Sequence, residues 1–497
     1  MKRAKKSIGL ILAILLVLTT VSAGCSKKAT TTTKADTSKF VALSEYLIGT
    51  PAKDYDQVIA AVNAKAKKDL NCTVAITWIG MGDFATKYPL VLASGEPIDL
   101  IYAANWLSYS MQAAKGAFMP IETLAPKYAP KSYGAQSAVD KKACTVNGHL
   151  YALVSPYSDY NYHAMGYILR GDLMKKYGIT SINSMDDVGA YLANVVKYDP
   201  QLDPTGFDSQ ANFDSNYEEY ALGYFPITGM GNFPLKVKVN PTTHDLTAQV
   251  VKYLDDPALP AFYQKMKDWS NAGYWPKNVL SNKDGDMLKE GKSALKLHEA
   301  STRASLYILH PEWDLQYFPG HIGYPTSALH DVMAIPASAT NPERALMLLE
   351  KFKNEISYNR LLTYGVEGKD YTITPQNQLK VTDPSVFAPD SYCSGGIKDP
   401  KFVLPLIGSP ANFQQVNDAL KATKFTNPLF SFSFNTEPVK SQVAAIVAVM
   451  SQYQFPLALG YVSDPAAALN NLKQQLQIAG IDQVQVELQK QVDAYSK

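Results

Sequence analysis

Cysteine is scarce in this chain and covalent chemistry has no obvious seat in it. Cys25, Cys72, Cys144 and Cys393 stand far apart, with no C-x-x-C pair and no histidine at metal-ligand spacing. No framework of disulfides can therefore hold the fold, and at most one pairing, such as Cys72 with Cys144, is open to the three cysteines after Cys25. The G-x-S-x-G and H-E-x-x-H patterns are missing, and the seven histidines are scattered. Adjacent acids occur at Asp186-Asp187, Glu218-Glu219 and Asp255-Asp256. Neighbours in sequence point apart on a helix or strand, so none of these makes an acid/base pair by itself. An excess of one charge is lacking too: 47 basic residues face 45 acidic ones, which implies no polyanionic partner. Repeats of solenoid length are absent. The expectation is a chain without metal, cofactor, nucleic-acid partner or catalytic role.

Only one long apolar run is present, Ile8 to Leu18, preceded by Lys2, Arg3, Lys5 and Lys6 and followed by the small residues Ser22, Ala23 and Gly24. It is short of the roughly 20 apolar residues of a spanning helix, and its order is that of an export signal. Val21-Ser22-Ala23-Gly24-Cys25 resembles a bacterial lipobox, with Ser22 where leucine is usual. That resemblance implies a signal peptide over residues 1–24, a diacylglycerol on Cys25, and anchoring on the outer face of the cell membrane. Residues 25–39, rich in Thr and Lys with almost nothing to bury, read as a flexible tether.

Beyond the tether there is ample apolar material, 46% of the whole chain, for more than one core. Val41 to Tyr46 reads as a strand, Asp54 to Lys68 as a helix, Cys72 to Ile79 as a strand, Phe84 to Ala93 as a helix and Ile98 to Ala103 as a buried strand. This βαβαβ order predicts an α/β fold with a mainly parallel sheet. From Tyr162 the pattern restarts, with a strand at Ala164 to Leu169 and helices at Gly171 to Tyr177 and Ser184 to Val196. A Pro- and Gly-punctuated stretch, Pro200 to Pro241, reads as irregular. Later come a helix near Pro260 to Ala272, strands near Ser293 to His298 and Asp331 to Ile335, and a proline-started helix, Pro342 to Asn354. Two helices, Pro438 to Tyr453 and Asn470 to Tyr495, close the chain. The layout predicts two lobes joined by a hinge: residues 40–157 with about 332–366, and 158–331 with about 367–497.

Segments spread from Glu45 to Tyr495 carry a family resemblance, among them "EYLIGTPAKDYDQVIAAVNAK", "TKYPLVLASGEPIDLIYAANWLSY", "VNGHLYAL", "YILRGDLMKKYGIT", "LLTYGVEGKDYT" and "AGIDQVQVELQKQVDAY". Together they resemble the family 1 extracellular solute-binding lipoproteins of ABC importers, in particular the LipO-like group. The resemblance implies a two-lobed, periplasmic-binding-protein-like fold with a C-terminal helical region. It also implies a monomeric receptor that closes on a sugar or oligosaccharide and delivers it to permease subunits. A receptor for a peptide or another polar solute, and a surface enzyme acting on glycans, are the alternatives.

Ligands of open α/β sheets sit beyond the carboxyl ends of the strands. This rule selects Gly49 after the first strand, Trp78 and Asp83 near the second, and Asn105 and Trp106 after the third. It also selects Tyr157, Asp159 and Tyr160 at the crossing between lobes, and His298 and Arg303 after the later strand. A flat aromatic beside Asp, Asn or Arg suits a pyranose, which has a C–H face and a hydroxyl edge. Trp269 and Tyr263, on a helix face, read as core instead. The resemblance adds Tyr364 and Glu367 near the crossing region. Gly80-Met81-Gly82-Asp83-Phe84-Ala85, with Asp99 further on, imitates a dinucleotide fingerprint. Asp83 however places a carboxylate where a pyrophosphate belongs, and Asp99 precedes its strand, so a glycine turn into a capped helix is the better reading. Gly229-Met230-Gly231 fails because Pro234 takes the third glycine's place.

Overall fold

Apolar alternation begins at Val41, and there the ordered sheet begins too. The computed structural model describes residues 36–155, 162–163, 165–208, 213–228, 230, 232–240, 243, 245–285, 287–318, 324–325, 329–389, 396–422, 429 and 432–496. β1 (Val41–Ile48), α1 (Tyr55–Leu70), β2 (Cys72–Ile79), α2 (Phe84–Ala93) and β3 (Leu100–Ala103) follow in the predicted order. β1 lies parallel to β2, with Val41 opposite Cys72, and parallel to β3, with Glu45 opposite Leu100. The strand Val332–Ala334 runs antiparallel to β3 and to Ala152–Leu153, completing a five-stranded sheet.

Helical spacing buries Val58, Val62, Ala66 and Leu70 of α1, and Asn71 in a left-handed conformation (φ 49°) ends the helix. The helix Pro342–Asn354 buries Ala345, Leu346, Leu349 and Phe352 against the same sheet. Asp99 fixes that helix's start: its carboxylate accepts from the N–H groups of Asn341 (2.9 Å), Thr340 (3.3 Å) and, in β1, Ser44 (3.1 Å). An acid at a helix N-terminus is favoured by the unsatisfied N–H groups there. The acid of the imitated fingerprint is thus a buried tie between strand and helix.

Apolar residues gather into two main cores. The first draws on Leu43 to Val154, Leu329 to Leu362 and Ile397. The second draws on Tyr167 to Phe318 and Leu429 to Val492. The chain therefore passes between them three times: after Ser155, before Leu329 and after Ile397. Tyr364, Tyr371, Leu379 and Leu404 form a small separate cluster.

The second core differs from the first in its sheets, which are all antiparallel. Met165–Leu169 lies between Leu295–Glu299 and Gln316–Phe318, and Leu235–Val239 lies between Tyr224–Pro226 and Leu246–Lys252. The Pro200 to Pro241 stretch is accordingly not irregular throughout, since it also holds the helix Phe213–Tyr220. Its strand was hidden because Leu235-Lys236-Val237-Lys238-Val239 alternates with lysine, yet Lys236 is itself buried. The terminal helix expected over Asn470 to Tyr495 is two helices, Pro465–Ile478 and Ile481–Tyr495. Gly480 (φ 87°) separates them in a backbone region costly for other residues. Cys72 and Cys144 are buried free thiols, so their pairing is not made. No described helix is long and apolar enough to cross a membrane.

Candidate functional site

Because β1, β2 and β3 are parallel, their carboxyl ends share one edge of the first core, and four sequence-selected positions collect there. Gly49 follows β1, donates its N–H to Ile79 O (2.8 Å) and has φ 130°. A Cβ at Gly49 would lie 3.7 Å from the Trp78 ring. Trp78 is half-buried, meets Tyr55 edge-on (5.8 Å, 84°) and lines a small apolar cavity with Ala52, Val58, Ile59, Leu362 and Phe387. Its ring therefore serves the packing of α1 more than an open edge.

Trp106 differs. It is half-buried after β3, braced by Phe84 (5.3 Å, 87°) and by Tyr102 (5.8 Å, 49°). Its indole N–H donates to His330 O at 3.0 Å. With the polar end of the indole committed, what remains to offer is the ring, a surface that suits C–H groups better than it suits charge. Asn105 beside it is exposed, and its side-chain oxygen accepts from Trp106 N–H (2.9 Å).

Asp83 stands at the start of α2 but makes no capping hydrogen bond. Its carboxylate turns instead to Lys87 (2.9 Å) and to Lys283 (3.1 Å), four residues beyond the second core's Val279. Hydrogen bonds from Lys87 and Lys283 hold the carboxyl below its ordinary value. At the same place a Cβ on Gly82 would lie 2.9 Å from Lys283 O, so backbone meets backbone across the two cores where only glycine fits.

A second polar contact joins the cores beside Trp106. The His330 ring reaches Glu299 at 3.2 Å and Asp331 at 3.9 Å, and Asp331 also accepts from the Tyr102 hydroxyl. Glu299 ends the strand Leu295–Glu299, and its N–H donates to His298 Nδ1 (2.9 Å), which also meets the Thr302 hydroxyl (2.7 Å). His298 and Trp106 are thus linked through two residues that sequence reasoning missed, His330 and Glu299. Asp331 and Lys283 were missed as well. The only signal for His330 and Asp331 was their place at the start of the strand that returns to the first core. Nothing in the sequence marks Lys283.

Apart from His298, the remaining selected residues lie elsewhere. The strand-end rule selects His298 and Arg303 after the later strand; that strand, Leu295–Glu299, is antiparallel to Met165–Leu169, so it shares no parallel edge with β1, β2 and β3. Arg303 is buried between the Tyr317 ring (5.2 Å) and the Phe413 ring (4.5 Å), and its Nε donates to Ala300 O (3.0 Å). Burial pulls its guanidinium down to about 10. Tyr364 belongs to the small separate cluster, where its hydroxyl accepts from Leu404 N–H (2.9 Å), and Glu367 is exposed on the turn after it. Cys25, Tyr157, Asp159 and Tyr160 lie outside the described residues. Among the described residues no cluster of His, Cys, Asp and Glu has the makings of a metal site.

Comparison with known proteins adds an independent line. Residues 49–352 match the model of the bacterial extracellular solute-binding protein family, and residues 428–497 match a domain of unknown function, DUF3502. A carbohydrate ABC transporter substrate-binding protein of Streptococcus pneumoniae is 26% identical over 490 residues, covering 95% of this chain and 94% of that protein. The lipoprotein LipO of Bacillus subtilis is 22% identical over 400 residues, covering 74% of each. Among solved structures, the N-glycan transport solute binding protein NgtS of Streptococcus pneumoniae in complex with Man1GlcNAc superposes with a TM-score of 0.77 at 21% identity. That match covers 92% of this chain and 99% of NgtS.

Proposed function

The chain belongs to the bacterial extracellular solute-binding proteins, and on that premise we propose that it captures an oligosaccharide between two lobes and delivers it to the permease of an ABC importer. The lobes of this reading are the two cores with their surrounding helices, and the three crossings are the hinge. The observation that carries the reading is Trp106. A ring braced on two sides by aromatics, its N–H fixed to the returning chain, stands at the strand edge where the cores approach. Such a platform binds the C–H face of a sugar, while Asn105 and the His330–Glu299–Asp331 group supply donors and acceptors for its hydroxyl edge.

Carbohydrate as the cargo is supported by what the Streptococcus pneumoniae relatives are described as binding or carrying. Attachment through Cys25 is supported by the lipoprotein character of LipO together with the lipobox-like residues 21–25. A lipid anchor and a short tether keep a receptor at high effective concentration beside its transporter.

The test is a calorimetric screen of the protein against Man1GlcNAc, other neutral oligosaccharides and short peptides, paired with small-angle scattering of each mixture. Heat of binding and a contracted scattering profile with a glycan are the expected result. Stabilisation by peptides alone removes the carbohydrate assignment, and release of a smaller sugar from a bound glycan removes the receptor reading.

A further inference from the structure

On the side of the first core, all three connections between the cores start from one point. Ala152–Leu153 leads to the first crossing through Val154 and Ser155. Met333, on the strand that receives the second crossing, pairs with Leu153. Gly396, one residue before the Ile397 from which the third departs, presses on that same strand: a Cβ there would lie 3.0 Å from Met333 Cγ and 3.4 Å from the Val332 carbonyl carbon. Ser155 joins the first to the third, its hydroxyl donating to Gly396 O at 3.0 Å.

Beneath this junction lies the amine of Lys353, a residue 4% exposed on the helix Pro342–Asn354. It faces Val154 O (2.9 Å), Leu153 O (3.2 Å), Ser155 Oγ (2.8 Å) and Gly396 O (3.3 Å), and no carboxylate bonds to it among the described residues. An amine with four uncharged acceptors on two of the crossings is an unusual use of a buried charge, since such charges are ordinarily paired.

We propose that Lys353 is a positioning residue that ties the three hinge connections into one knot, and that its ionisation state sets how firmly the knot is held. This rests on the two-lobed reading given above. An ammonium brings three N–H donors to the four acceptors but gives up its hydration with no bonded counter-charge, whereas a neutral amine brings two donors at little desolvation cost, so the closed knot holds more firmly once the proton is lost. Burial pulls the amine down to about 7, so the change falls in the neutral range. Three titratable groups face it, and none is bonded to it among the described residues. The Cys144 thiol is itself buried and pushed up to about 12. Glu350 is taken by the N–H groups of Lys131 (2.8 Å) and Ser132 (3.0 Å), and Asp399 by Lys401 (2.5 Å).

Hydrogen exchange on the ligand-free protein tests the knot without reference to any cargo. After correction for intrinsic rates, peptides spanning 150–155, 329–336 and 396–402 are expected to gain at least threefold in protection between pH 6 and pH 8, while α1 does not change. Lys353→Met abolishes that difference. Equal protection at the two pH values in the wild type, or an undiminished difference in Lys353→Met, overturns the proposal. Should Lys353→Met not fold, Ser155→Ala removes one acceptor and the link to Gly396. It is expected to lower protection of 396–402 at both pH values, and wild-type protection in that variant overturns the proposal equally. Absence of glycan binding alongside pH-dependent protection would sink the receptor reading and leave the knot standing.

Discussion

Two buried lysines, one in each core, solve the same electrostatic problem in opposite ways. In the second core Lys236 pairs with Glu218, itself 2% exposed, and its ammonium sits 4.5 Å over the Tyr253 ring. Burial pushes the Glu218 carboxyl up, and the Lys236 ammonium pulls against it. In the first core Lys353 has, among the described residues, carbonyls and a hydroxyl for partners. A paired charge is balanced in place by its neighbour. A charge held by dipoles alone shifts its titration and makes its surroundings responsive. The second core is thus built to be fixed, and the first core holds the element that can be adjusted, at the point where the lobes are joined.

The widest gap between the cores should appear when Glu218 becomes Gln. Lys236 then loses the carboxylate it pairs with, and a loss of about 3–5 kcal/mol is expected by urea denaturation. Replacing both partners with apolar residues, Glu218→Leu with Lys236→Met, should recover most of it; failure to recover would mean the pair does more than balance its own charge.

Lys353→Met removes the charge but strands the carbonyls of Leu153, Val154 and Gly396, for a loss of about 1–3 kcal/mol. Its sign with pH separates it from Glu218→Gln. The native amine, near 7, sits below the ordinary lysine value of 10.5. Between those values the unfolded chain holds a proton that the native protein has released, so this group makes stability rise with pH through that window. Comparing urea midpoints at pH 6.5 and pH 9 should show the slope in the wild type and a smaller one in Lys353→Met.

Trp106→Ala asks whether capture belongs to the first core's parallel edge. Affinity for a glycan that the wild type binds is expected to fall about tenfold, or about 1.4 kcal/mol, with Trp106→Phe retaining most of it. Equal titration curves for Trp106→Ala and wild type would move the platform elsewhere. Asp83→Asn should do least: its partners Lys87 and Lys283 are more than half exposed, and salt screens such contacts. Any effect on the scattering profile is expected only at low ionic strength. A closed form lost at physiological salt would show that this contact matters more than its exposure suggests.

Much of the first core was legible in its sequence because each of its signals is local. α1 carries its buried face at helical spacing, β3 is a short apolar run, and parallel order fixes which ends share an edge, so Gly49, Asp83, Asn105 and Trp106 could be placed together. The second core was less legible, and the reason is chemical. Lys236 and Glu218 read as solvent-facing charges, and only their meeting lets the strand Leu235–Val239 be buried on both sides. Across the cores the sequence was nearly silent. Lys283, His330 and Glu299 join residues far apart in the chain, and no periodicity encodes such a meeting.

By itself, then, the order of residues determined the export-like start, the βαβαβ unit, the family resemblance and the place of Trp106 just beyond β3, since periodicity, capping and strand direction are properties of neighbours in the chain. Tertiary structure alone decided that Lys353 lies under the point where three connections meet, that Arg303 is buried between two rings, and that Tyr364 belongs to a cluster of its own. A side chain's charge state and partners depend on what surrounds it in space, and in this protein those surroundings come from segments two hundred residues away and more.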